Sequence, residues 1–173
     1  MFKPRGFTVF FAVLVASLAL AIGLAMYDLL IRELELSRTA RESQYAIYAA
    51  DTGVECALYW DFKYGTVNPS DIDGSAFATS SAQTDKAGAG QALCDGQDIT
   101  NNSIIPFVWT IVTNAPTTTT TFKISSDTVA GPCATVTVAK AGNPPSTVIT
   151  SRGYNTCLDT GQVQIERALE VNY

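Results

Sequence analysis

The feature that most constrains this chain is an apolar run of 25 residues near its N-terminus, residues 7–31, in which Asp28 is the only charged residue. As an α-helix the run would rise about 37 Å, more than the roughly 30 Å of hydrocarbon in a bilayer. A short basic segment, Met1-Phe2-Lys3-Pro4-Arg5, precedes it. We therefore predict a single membrane-spanning helix with its N-terminus in the cytoplasm and the remainder of the chain outside.

Three hypotheses account for this segment. It could be a cleaved secretory signal with Ala19-Leu20-Ala21 as the small-x-small cleavage site, although the apolar run continues for ten residues past Ala21. It could be a plain uncleaved anchor. It could also be processed at the Gly6-Phe7 junction, with the apolar run retained as a helix.

The third hypothesis rests on a resemblance to a known family. Lys3-Pro4-Arg5-Gly6-Phe7-Thr8, followed by an apolar helix, resembles the leader and mature start of type IV pilins and type II secretion pseudopilins. The resemblance implies that residues 1–6 are a leader, that a prepilin peptidase cuts after Gly6, and that Phe7 is then N-methylated. It also implies a pilin-like α+β fold, with a long N-terminal helix packed against an antiparallel β-sheet head.

A second segment, residues 41–55, contains the alanine pair Ala49-Ala50 followed by Asp51 and Gly53. It is similar to a segment of tip-type minor pilins and pseudopilins, and the resemblance covers about the first 60 residues. Most members have a glutamate four residues after the mature N-terminus, where this chain has Phe11. Tip-type minor subunits can lack that glutamate, so the departure favours a priming or tip role over a repeating shaft role.

Small residues recur within the apolar run at spacings of four, three and four, as Ala12, Ala16, Ala19 and Gly23. They would share one face of a helix, and in lipid such a face lets helices pack closely. The alternative explanation is that alanine is common in apolar helices and that the spacing has no function. We predict that this stripe packs against other helices in a filament core.

The helix should continue past the membrane, because no proline lies between Pro4 and Pro69. We predict an amphipathic half over residues 32–62, ending near residues 60–64. The residues expected to pack under a sheet have helical spacing: Leu36, Ala40, Ile47, Ala50, Val54 and Leu58.

Residues 63–173 are predicted to form a globular, β-rich head. Residues 63–99 are polar and rich in Gly, Ser, Ala and Asp, which is typical of loops, with a short helix predicted around residues 88–93. Asp71-Ile72-Asp73-Gly74 alternates carboxylates before a glycine, as calcium loops do, but no late acidic ligand follows. We predict an Asp-Gly turn there and no metal site.

The rest of the head is predicted to form strands joined by short turns. β-branched, aromatic or alternating residues mark strands at 106–113, 133–140, 147–152 and 162–171. The five threonines at 117–121 are predicted to lead from a loop into a strand. Such an antiparallel meander could be covered by the amphipathic half of the helix.

Four cysteines in an exported head favour two disulfides, for which three pairings exist. A hairpin centred on residues 141–145 would place Cys133 opposite Tyr154 and a few residues from Cys157. We therefore predict the pairs Cys133–Cys157 and Cys56–Cys94.

Composition excludes several function classes. The net charge is −5, and loss of the two positive charges of the leader would make it −7, so we expect no nucleic-acid partner. The chain has no histidine, which removes the usual general base and most zinc sites. Asp51 and Glu55 lie four apart and are interpreted as a solvated or subunit-facing surface rather than a catalytic pair. We predict neither an enzyme nor a cofactor.

Two hypotheses of function follow. The first is a structural minor pilin or pseudopilin of a type IV pilus or type II secretion filament, with four partners: the membrane, a prepilin peptidase, an inner-membrane assembly platform and other subunits. The second is a membrane-anchored exported domain outside any filament, binding glycans, DNA or a surface. Trp109, Tyr154 and Tyr64 could stack on a ligand there, although each is more typical of core or hairpin packing.

Overall fold

The computed structural model describes residues 6–67, 74–78, 91–102, 107–114, 116–126, 128, 130–142, 145–158 and 163–173. The chain divides into two compact units, Met1–Arg41 and Glu42–Tyr173. A single helix, α1, runs over Gly6–Val67 and contributes to both. The predicted end near residues 60–64 is wrong, since α1 continues to Val67 and contains Gly65. One glycine weakens a helix by only about 1 kcal/mol, which packing of the neighbouring Tyr64 in the core can outweigh.

A five-stranded antiparallel sheet forms most of the second unit, in the order β5-β6-β7-β8-β9. Its strands are consecutive along the chain: β5 Thr110–Asn114, β6 Thr117–Ser125, β7 Cys133–Gly142, β8 Pro145–Tyr154 and β9 Glu166–Asn172. Two small hairpins precede it, one pairing β1 Leu93–Cys94 with β2 Gln97–Asp98 and one pairing β3 Asn101–Asn102 with β4 Phe107–Val108. One long N-terminal helix on an antiparallel sheet makes this an α+β protein, as predicted.

The register of the long hairpin agrees with the prediction. Gly142 pairs with Pro145 at the turn, and Cys133 pairs with Tyr154 at the far end. The alternation in the sequence of β7 produces this arrangement, because Ala134, Val136 and Val138 face the core while the residues between them are half-buried. A slip of one residue would turn all three apolar side chains outward.

Other boundaries differ from the predictions. All five threonines lie within strand β6, which begins at Thr117 and occupies an interior position of the sheet. The predicted strand 106–113 is interrupted at Trp109, whose amide donates to the carbonyl of Thr100, and residue 106 lies outside the described residues. The last strand begins at Glu166 rather than at residue 162, which is likewise outside the described residues.

The predicted short helix at 88–93 is wrong in its described part. Gln91 and Ala92 form a bend, and Leu93 begins β1. The turn between β1 and β2 explains the difference, because Asp95 and Gly96 both have positive φ, 50° and 74°. This is the conformation that two-residue hairpin turns require, and Asp-Gly is a preferred sequence for it.

The face of α1 that packs on the sheet is only partly the predicted one. Ala50 and Val54 are buried as expected, but Leu36 is 70% exposed and Ile47 is 43% exposed. Ala40 is exposed as well. The buried face is instead made largely of small residues: Ala46, Ala50, Gly53 and Ala57.

Small residues occupy this face because the helix and the sheet approach each other closely at two glycines. A Cβ at Gly53 would lie 2.7 Å from the Val136 methyl, and one at Gly153 in β8 would lie 2.9 Å from the Ala50 Cβ. Neither distance is tolerated between real carbon atoms, so both positions require glycine. Because the helix and the sheet lie so close together, the larger Ile47 and Tyr48 side chains lie on the solvent side of the helix.

The core of the second unit lies between the helix and the sheet. Phe77 is fully buried and stacks on Phe122 with ring centroids 5.8 Å apart, and Trp60 and Trp109 are buried in the same cluster. Two disulfides join the predicted pairs: Cys56 on α1 bonds to Cys94 in β1, and Cys133 in β7 bonds to Cys157 after β8.

Candidate functional site

The first candidate site is the N-terminal part of α1, which presents mainly apolar side chains over residues 7–31, with Asp28 as the only charge. Residues 7–31 are exposed throughout, and Phe7 is 71% exposed. An 18-residue stretch of the helix is apolar enough to cross a membrane, and none of that stretch is buried. Exposure of this much apolar surface to water would be strongly unfavourable, which is consistent with a membrane-spanning segment.

The predicted processing junction lies at the very start of this helix. Gly6 is the first residue of α1, and Phe7 follows in its first turn. Residues 1–5, which carry the basic side chains Lys3 and Arg5, lie outside the described residues. Phe11, at the position where the resembling family has glutamate, is an exposed helical residue one turn beyond Phe7.

The small-residue stripe lies along one side of the same helix. Ala12, Ala16, Ala19 and Gly23 are all helical and exposed. With 100° of rotation per residue they fall within about 60° of arc. A Cβ at Gly23 would meet nothing within 4 Å, so the backbone there is open to a neighbouring helix.

An ion pair lies at the C-terminal end of the apolar segment. Arg32 Nη2 lies 3.2 Å from Asp28 Oδ2, one helical turn away, and both side chains are well exposed. An exposed i,i+4 pair contributes only a few tenths of a kcal/mol to the helix. Its consequence is that Asp28, the one charge of the run, carries its own counter-ion.

A buried polar cluster in the second unit was missed by sequence reasoning. Asp61 on α1 is 7% exposed, and its Oδ1 lies 2.6 Å from the Lys140 ammonium of β7. The Ser75 hydroxyl also donates to Asp61 Oδ1, and the Tyr173 hydroxyl donates to Oδ2 at 2.5 Å. The cluster thus ties the helix, a loop, a central strand and the C-terminal residue together. We call these four residues the Asp61 cluster.

The environment of the Asp61 cluster perturbs its tyrosine. Burial, the hydrogen bond to Asp61 and the negative charge of that carboxylate raise the pKa of Tyr173 well above its usual value. The phenol ring also stacks on Phe62 with centroids 5.4 Å apart. Tyr173 backbone groups exchange two hydrogen bonds with Thr147, at 2.7 and 3.0 Å. These contacts hold Tyr173 against α1 and β8.

The other predicted candidates are dispersed. Asp51 and Glu55 are both exposed on α1, as expected for a solvated or subunit-facing surface. Asp71 and Asp73 of the calcium-like loop lie outside the described residues, while Gly74 has a φ of 68°, as a turn requires. Within the described ranges no group of three or more acidic, Cys or His side chains could hold a metal ion.

The three aromatic residues considered for stacking separate into two classes. Trp109 and Tyr64 are buried in the core. Tyr154 is only half-buried and lies at the end of β8 opposite Glu166. Burial and a hydrogen bond to Glu166 raise the pKa of Tyr154.

No protein-family model, curated protein or solved structure matches this chain.

Proposed function

We propose that this chain is a minor pilin or pseudopilin, a structural subunit of a type IV pilus or type II secretion filament. One observation carries the proposal: a single helix begins at the Gly6-Phe7 junction, stays apolar and exposed for 25 residues, and continues into a disulfide-bonded α+β head. An ordinary signal peptide would be removed rather than continue as the central helix of the exported domain.

The mechanism of such a subunit is assembly. The apolar half of α1 first holds the subunit in the membrane. It then leaves the lipid and packs among the apolar helices of neighbouring subunits, so that the same surface is shielded in both states. Phe11, which cannot supply the carboxylate that pairs with a neighbouring N-terminal amine, supports a priming or tip position.

The proposal also accounts for the head. A domain outside the cytoplasm can keep two disulfides, and the pairs Cys56–Cys94 and Cys133–Cys157 tie α1 to the hairpin and β7 to the segment after β8. The Cys56–Cys94 bond therefore cross-links α1 to the rest of the head in addition to the backbone. Force applied to the helix during extraction from the membrane would be transmitted directly to β1 through this cross-link.

Processing provides the test of the proposal. Gly6→Val in the full-length chain should block cleavage, leave the protein in the membrane and remove it from sheared filaments. Gly142→Val is the matched control, because this exposed glycine at the β7–β8 turn has no atom within 4 Å of an added Cβ. Normal filament recovery of Gly6→Val would overturn the proposal.

The small-residue stripe provides a second test. Ala16→Leu with Ala19→Leu should reduce recovery of the subunit in filaments, because two larger side chains would separate packed helices. Ala21→Leu with Ala25→Leu adds the same apolar volume to the opposite side of the helix and should have little effect. Equal recovery of the two double variants would refute the assignment of the stripe to packing.

A further inference from the structure

The face of the sheet opposite α1 carries a row of four threonines, which we call the threonine row. Thr110 pairs with Thr121, Thr121 with Thr137 and Thr137 with Thr150, so the row crosses four strands. Strands lie about 4.8 Å apart, which makes the row about 14 Å long. The hydroxyls of Thr121 and Thr137 lie 3.4 Å apart. Each hydroxyl supplies one donor and two acceptor sites.

A polar concavity of about 260 Å³ lies on the same face, nearer the Cys133 end of β7. The Cys133–Cys157 disulfide contributes to its wall. Its polar lining comes from the four strands β6 to β9 and from Gln164 just before β9, and we call it the polar pocket: Lys123, Thr135, Tyr154, Gln164 and Glu166. Lys123 and Thr135 lie two residues along their strands from Thr121 and Thr137, so the pocket and the threonine row are continuous.

The groups of the polar pocket are held in place by contacts within the fold. The Tyr154 hydroxyl bonds to Glu166, whose Oε1 also lies 3.6 Å from Arg152 Nη1. Gln164 Nε2 donates to the Thr156 carbonyl at 3.0 Å. A carboxylate offers about four acceptor positions, so Glu166 retains capacity for a ligand. Ordering these groups in advance lowers the entropy cost of binding.

The charges of this face balance. Lys123 and Arg152 are positive and Glu166 and Glu170 are negative, while the threonine row between them is uncharged. A nucleic acid or other anionic polymer would need a net positive surface. A protein partner would be favoured by buried aromatic and Met anchors, which a row of threonines does not provide.

We propose that the polar pocket and the threonine row together bind a neutral polysaccharide chain. One sugar unit would stack on the half-exposed Tyr154 ring while its hydroxyls bond to Glu166 and Gln164. The following units would lie along the threonine row, exchanging hydrogen bonds between hydroxyl groups. This inference is independent of the filament proposal, because it concerns the open face of the head alone.

Binding of soluble oligosaccharides to the purified full chain in detergent micelles tests the inference. The probes are cellohexaose, chitohexaose and maltohexaose as neutral chains, with hyaluronan oligosaccharide and single-stranded DNA as charged ones, measured by calorimetry. At least one neutral hexasaccharide should bind with a dissociation constant below about 1 mM, and neither charged probe should bind more tightly.

Variants locate the site. Tyr154→Ala should weaken binding about tenfold or more through loss of the ring contact. Thr137→Lys should do the same at the row, which provides a second variant if Tyr154→Ala fails to fold. Tyr59→Ala is the matched control, because this tyrosine is 54% exposed on α1, a different surface of the unit. The inference is overturned if no neutral chain binds, if a charged probe binds more tightly, or if Thr137→Lys binds as the native chain does.

Discussion

Replacement of Asp61 by asparagine tests how the head holds its helix. The amide keeps the size of the carboxylate and can still accept hydrogen bonds, but it removes the charge that faces Lys140. The Lys140 side chain is 11% exposed and its ammonium lies 2.6 Å from Asp61, so it would remain buried without a counter-ion. Breaking a buried pair from one side costs about 3–5 kcal/mol, a large part of a typical domain's 5–15 kcal/mol.

A double variant measures the coupling between the two charges. Removing both charges, as in Asp61→Asn with Lys140→Met, should cost less than the sum of the two single changes. The expected coupling between the two sites is about 1–3 kcal/mol.

Urea denaturation of the purified full chain in detergent, with its disulfides intact, measures these effects. Trp60 and Trp109 are both buried in the head and report its unfolding by fluorescence. A loss of about 4 kcal/mol lowers the midpoint by roughly 2 M urea at a slope of about 2 kcal/mol/M. Asp51→Asn, at an exposed position of the same helix, is the matched control and should change stability by less than about 0.5 kcal/mol. A cost below about 1 kcal/mol for Asp61→Asn, or strict additivity in the double variant, would refute the reasoning.

Three further predictions concern the head. Gly153→Ala should lower its stability by about 1–3 kcal/mol, because the added methyl would overlap α1 at Ala50; an unchanged urea midpoint would contradict the close approach. The pKa of Tyr173 is raised in the folded state, so the contacts of its neutral phenol stabilise the head. This contribution to the free energy of unfolding is complete below pH about 10, the usual tyrosine pKa, and is lost as the pH rises towards the folded-state pKa. Tyr173→Phe should therefore show a smaller loss of stability between pH 9 and 11 in alkaline titrations followed by circular dichroism, and an identical loss would count against the contact with Asp61. Replacing both Cys133 and Cys157 by serine should lower the free energy of unfolding by about 3–4 kcal/mol, because the disulfide closes a loop of 24 residues. Thermal unfolding of this double variant beside the native chain would check that loss.

The sheet was largely predictable because its signal is local. Alternation in β7 and β8, with the turn residues between them, fixes which side chains face the core and hence the pairing of Cys133 with Tyr154. The disulfide pairs follow from that register together with the number of cysteines. Trp109 interrupts its strand because its amide bonds to Thr100, a contact that no local pattern encodes.

The sequence predicts the buried face of α1 less well, because large apolar residues with helical spacing lie on the exposed side while small residues face the sheet. Ile47 has helical spacing with the core positions, yet it is exposed, while Ala46 and Gly53 face the sheet. The fit between helix and sheet depends on Gly153, about 100 residues further along the chain. The row Ala46, Ala50, Gly53 and Ala57, with spacings of four, three and four, was the available signal.

The Asp61 cluster and the polar pocket were beyond sequence reasoning for the same reason, because each joins residues that are distant in the chain. The Asp61 cluster joins residues 61, 75, 140 and 173, which are far apart in the chain and individually unremarkable in type. The polar pocket joins residues from four segments. The threonine row was visible only as a run of five threonines, and its partners Thr137 and Thr150 became neighbours through the register of β6, β7 and β8.

Intact-mass and N-terminal analysis of the protein isolated from its native membranes tests the central proposal most directly. The account predicts a chain that begins at Phe7, carries one added methyl group on its terminal nitrogen and retains two disulfides. A chain that begins at Met1, or one that begins after Ala21, would contradict it.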